Sequence, residues 1–149
     1  MNRNGLRGLI VVCVLSLCTN AYVVIRHFAQ RSSNYNDMAM VPYYLSMALD
    51  SYIIEFTKKG DPNEHYQPGN LSVQMAFSSY QASESLYREY GYNTNAALTF
   101  LDQLRNASDA QAYHELLSLK SYLPNTFIKP SQIQPLFNAM ASEYKGIRT

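Results

Sequence analysis

Three histidines, His27, His65 and His114, are the chain's whole supply of imidazole for acid–base or metal chemistry, and the residues around each argue against both. His114 is followed by Glu115, the opening of a zinc-protease helix in which a second histidine one turn later completes the metal site. Ser118 stands there instead. His65 shares a stretch with Asp61, Asn63 and Glu64. That oxygen-rich spacing begins like a calcium loop, but the central glycine and closing glutamate are out of place. His27 lies at the edge of an apolar segment. The serines include no Gly-x-Ser-x-Gly elbow, and no glycine-rich loop is available to cradle phosphate. Cys13 and Cys18 both fall inside the apolar segment, where a five-residue spacing on a helix turns the thiols about 140° apart, too far to share a metal. The carboxylates Asp50, Glu55, Glu84, Glu89, Asp102 and Glu115 fall on expected polar faces as solvated groups. The sequence defines no catalytic, cofactor-binding or metal-binding residue, and the chain reads as a non-enzymatic protein with no cofactor.

Tyrosine is the one compositional excess, with 13 Tyr and no Trp. Tyr52, Tyr80, Tyr113 and Tyr144 fall on apolar stripes and are expected in the core. Tyr43, Tyr66, Tyr90 and Tyr92 fall at expected helix ends or in loops, where a ring stays partly exposed. Exposed tyrosine supplies contact area at low entropic cost, so Tyr66, Tyr90 and Tyr92, with His65 beside Tyr66, form the candidate partner surface. Asn70-Leu71-Ser72 and Asn106-Ala107-Ser108 match glycosylation acceptors in spacing, but helix capping already accounts for Asn70 and Ser108.

Behind these residues stand two different kinds of segment. Gly8 to Ile25 carries no charge and is flanked by Arg3 and Arg7 before it and Arg26 and Arg31 after it. As a helix it is about 27 Å long, close to the ~30 Å hydrocarbon core, so residues 8–25 are expected to cross a membrane. Thr19-Asn20-Ala21 offers an alternative, cleavage after Ala21 as an exported signal. Against it, Tyr22 to Ile25 continue the apolar run and Arg26, His27 and Phe28 resemble an interfacial belt. Lipoprotein processing at Cys18 would need a small residue where Leu17 stands, and the glutamate of a prepilin leader is missing after Gly5. The arginine flanks are balanced and set no orientation. A short tail ahead of a domain of about 115 residues favours export of that domain, with a protein partner in the membrane or outside it.

Residues 32–149 contain 8 basic and 11 acidic side chains, a mildly acidic balance that excludes nucleic acid as the natural partner. This part has no cysteine and must be held by packing alone. Residues 32–41 read as a short polar connector that would leave the domain close to the bilayer. Five helices then follow: about Pro42 to Lys59, Leu71 to Tyr90 capped by Asn70, Asn93 or Thr94 to Asn106, Ser108 to Leu123, and a last one from near Ser131 to Gly146. Within them Tyr113, Leu116, Leu117 and Leu123 are expected to face inward. Residues 60–69, with two prolines and two glycines, form the longest loop. The second helix carries two apolar stripes, Val73, Phe77, Tyr80 and Tyr87 beside Met75, Ala82 and Leu86, and is expected to be central. The fold class is all-α, an N-terminal transmembrane or signal helix followed by an irregular bundle of about five helices.

Overall fold

Met38, Val41, Leu45, Ala48, Leu49 and Tyr52 recur at three- and four-residue steps and all are buried, so the core stripe of the first domain helix starts before Pro42. In the computed structural model, which describes residues 3–57, 68–123, 128 and 130–146, this stripe belongs to α1, Arg3–Thr57. The expected connector at 32–41 is therefore helical, and Met38, Ala39 and Val41 within it are core residues. Two compact units divide at this point, Met1–Tyr35 and Asn36–Thr149.

Pro42 sits inside α1, where its missing N–H leaves the carbonyl four residues earlier, that of Met38, without its helical donor. The Tyr87 hydroxyl donates to that carbonyl at 2.6 Å, fully buried, and so closes the gap that the proline opens. An interior proline is tolerated here because a tyrosine from another helix replaces the lost hydrogen bond.

The second helix, α2, spans Gly69–Glu89 and starts two residues earlier than an Asn70 cap allows. Its N-cap is Pro68, whose carbonyl accepts from the Leu71 and Ser72 amides at 3.1 and 3.2 Å, while Asn70 is an exposed residue of the first turn. Packing sets this start. A β-carbon on Gly69 would lie 2.5 Å from Cε1 of Tyr52, so the Tyr52 ring rests directly on the glycine backbone. That ring is itself held, buried and with its hydroxyl donating to Asp109 Oδ1 at 3.3 Å. Gly69→Ala is accordingly expected to lower stability by about 1–3 kcal/mol through overpacking, read as a fall in the chemical-denaturation midpoint. An unchanged midpoint would show that the Tyr52 ring yields freely.

At its other end α2 stops in a Schellman turn. Gly91 adopts φ 75°, its amide bonds to the Arg88 carbonyl at 3.0 Å, and the Tyr92 amide reaches back to the Tyr87 carbonyl at 3.0 Å. The apolar contact that accompanies such turns is made by the Tyr87 and Tyr92 rings, 6.1 Å between centroids.

Three further helices complete the bundle: α3, Thr94–Asn106; α4, Asp109–Ser118; and α5, Pro130–Gly146. Ser108 caps α4 as its sequence indicates, accepting from the Gln111 amide at 3.4 Å. The helix stops earlier than expected, and Leu119–Leu123 continue as hydrogen-bonded turns that bury Leu119 and Leu123 while leaving Leu117 and Tyr122 exposed. Leu117 thus faces outward, against expectation, and Tyr113 is only half-buried. In α5, Ile133, Leu136, Phe137 and Met140 form the buried face.

The centre is shared by two helices: α3 packs against α2, α4 and α5 through Ala97, Phe100, Leu101 and Leu104, and α2 touches α1 and α5 as well as α3. On α2 the Val73, Phe77, Tyr80 and Tyr87 stripe is buried as expected. Beside it the small residues Ser72, Ala76 and Ser83 are buried in place of the second expected stripe, of which Ala82 is exposed and Met75 and Leu86 are half-buried. Arg105 of α3 covers the Phe77 ring at 4.1 Å, adding a cation–π contact across the pair. Among the described residues every element is helical, as an all-α chain should be.

Candidate functional site

The sequence places its candidate surface on His65, Tyr66, Tyr90 and Tyr92. His65 and Tyr66 lie outside the described residues. Tyr90 and Tyr92 flank Gly91 in the turn between α2 and α3, both half-buried, with rings stacked at 6.3 Å and 26°. Tyr92 has packing duties as well, standing edge-on to Phe137 of α5 at 5.9 Å besides its contact with Tyr87. Replacing it would disturb the core as well as any surface.

Inward from Tyr92 is a cluster of rings that no single stripe of the sequence reveals. Tyr87 packs on Phe137 at 4.7 Å and stacks on Tyr80 at 5.5 Å and 14°, and Tyr80 lies 6.2 Å from Phe137. The Tyr80 hydroxyl donates to the Thr94 carbonyl at 2.7 Å, anchoring the start of α3. Burial pushes the Tyr80 phenol up to about 12, with the Glu84 carboxylate adding to the rise, and burial raises Tyr87 further still. Both hydroxyls therefore act as neutral donors. Tyr52 is raised in the same sense, first by burial and then by the Asp109 carboxylate beside it.

The polar groups are arranged as surface pairs. Glu84 bridges Arg88 at 2.6 Å and Asp102 bridges Arg105 at 2.7 Å, both within one helix and solvent-facing, the class of ion pair worth little. Asp50 differs in that partial burial raises its pKa, an effect that the nearby Lys120 opposes. His114 is exposed and its ring leans on Tyr113 at 5.6 Å, while the Ser118 hydroxyl donates to the Glu115 carbonyl at 2.7 Å. Among the described residues no three His, Cys, Asp or Glu side chains converge as a metal site.

Two open clefts carry polar linings. One, of 410 Å³, is bounded by Glu55, Pro68, Gly69, Asn70 and Asp109, where the end of α1 meets the starts of α2 and α4. The other, of 280 Å³, lies between α3 and α4 and includes Asp102, Gln103, Gln111 and Glu115. Each is lined by carboxylates and amides.

Residues 10–33 are exposed on every side, including the large apolar side chains Leu17, Ile25 and Phe28. Together the helices define an all-α protein with one apolar N-terminal helix long enough to cross a bilayer. Comparison with known proteins adds no relative: no family, no curated protein and no solved structure matches the chain.

Proposed function

We propose that this is a single-pass protein of the cell envelope, anchored through residues 8–25, whose helical domain lies outside the cytoplasmic membrane. There it serves as a non-enzymatic interaction or accessory module for another membrane or extracytoplasmic protein. The observation that carries this reading is the uniform exposure of apolar residues from Ile10 to Ile25, since a helix apolar on all faces needs either a protein core or lipid around it. The belt that follows agrees: Arg26, His27 and Phe28, then Arg31, whose Nε donates to the Tyr35 hydroxyl at 3.3 Å.

Thr19-Asn20-Ala21 supports a second reading, in which cleavage after Ala21 releases a soluble exported binding protein for a peptide or small ligand. Mass analysis of the mature N-terminus combined with alkaline extraction of membranes separates the two. Anchoring predicts a chain that keeps residues 8–25 and resists extraction, whereas a chain that starts at Tyr22 and is released overturns it. Detergent-solubilised membranes should further yield a partner in stoichiometric amount, and repeated recovery of the protein without one would sink the interaction role.

A further inference from the structure

Asn20 is the most polar side chain in the apolar stretch, and its position raises a question that anchoring alone leaves unanswered. Thr19 beside it satisfies its hydroxyl within the helix, donating to the Leu15 carbonyl at 2.9 Å. Asn20 has no such recourse. Among the described residues its carboxamide makes no hydrogen bond, and the residue is exposed. In hydrocarbon an unmet amide is costly, and neighbouring helices are the usual source of partners.

We infer that the anchor helix pairs with a second copy of itself, with Asn20 of one chain hydrogen-bonded to Asn20 of the other. This inference rests on the anchor reading above. Three observations favour a second copy over another occupant. A carboxamide is both donor and acceptor, so two of them related by a twofold axis satisfy each other. Copies of a single-pass protein share one orientation, so their helices are parallel and their Asn20 residues lie at the same depth. Finally, at about 100° per residue Cys13 stands within about 20° of Asn20 and Ser16 within about 40°, at the seven- and four-residue spacings of a helix–helix seam, with Val23 and Val24 extending it. A single asparagine in such a seam fixes register and parallel alignment.

Cys13 is therefore a built-in reporter for the seam, and Cys18, about 160° from Asn20, is a control on the opposite face. The test is oxidation by copper–phenanthroline of native membranes containing the full chain, where two Cys13 thiols lose their protons and two electrons to copper and form one disulfide. Cys18→Ser, which keeps Cys13, should give a reducible species at twice the chain's 17.0 kDa. Cys13→Ser, which keeps Cys18, should remain monomeric. Adding Asn20→Leu to Cys18→Ser should reduce the dimer by roughly fivefold or more, while Asn20→Gln, which keeps an amide, should retain it. Equal cross-linking through Cys13 and Cys18, a Cys13 adduct of any other mass, or a dimer indifferent to Asn20→Leu overturns the pairing. Extraction-resistant protein that forms no Cys13 dimer overturns the pairing alone. A mature chain starting at Tyr22 has lost both cysteines and overturns the anchor together with it.

Discussion

Tyr87→Ala is expected to unfold the domain or to lower its stability by about 3–5 kcal/mol, the cost of emptying a large aromatic site in a packed core. Tyr87 is fully buried, touches Tyr80, Tyr92 and Phe137, and is the residue from which the α2 C-terminal turn takes its carbonyl. The milder Tyr87→Phe isolates the hydroxyl. It leaves the rings in place but strips the Met38 carbonyl of its donor, at a cost of about 1–3 kcal/mol for a buried acceptor left unmet. Pro42 supplies a specific control, because its lack of an N–H is the reason that Met38 needs Tyr87. In a Pro42→Ala background the helix can make its own bond, so Tyr87→Phe should there cost less than about 1 kcal/mol. A double-mutant cycle by urea unfolding measures the difference. Equal costs in the two backgrounds would mean that the tyrosine and the proline are independent.

This pairing shows where the sequence is legible and where it is not. The helix count, the Ser108 cap, the Gly91 stop and the buried stripes Val73, Phe77, Tyr80 and Ile133, Leu136, Phe137, Met140 all follow from spacing within one segment. Local pattern fails where the deciding partner is distant in sequence. Residues 32–41 look like a connector because Ser32 to Asp37 are polar and Pro42 is a natural helix start. Helix continues through them because Met38 and Val41 find a core and Tyr87 repairs the proline. Asn70 looks like a cap, but the start of α2 is set by how closely Tyr52 approaches Gly69. Tyr92 reads as a partly exposed turn residue, and it is half-buried, but nothing nearby in sequence shows Phe137 beside it.

Raising the pH should unfold the domain cooperatively between pH 10 and 12, the interval from the ordinary tyrosine pKa to the value reached by Tyr80. An unfolded chain releases its phenolic protons near pH 10, whereas Tyr80, and still more Tyr52 and Tyr87, keep theirs while folded because burial disfavours the phenolate. Each raised tyrosine thus contributes stability that is fully present below pH 10 and is lost as the pH climbs toward its folded pKa. Above pH 10 the unfolded state binds fewer protons than the native state. Each such group removes on the order of 1 kcal/mol per pH unit, and three acting together remove several within two units, comparable with the whole stability of a small domain. The buried Tyr52, Tyr80 and Tyr87 should accordingly ionise in a steep rise of tyrosinate absorbance that coincides with loss of helical circular dichroism. Tyr80→Phe should flatten the pH dependence of stability in that interval, even though it also gives up the bond to the Thr94 carbonyl. A single smooth ionisation near pH 10 with the helices intact would show that these hydroxyls are open to solvent.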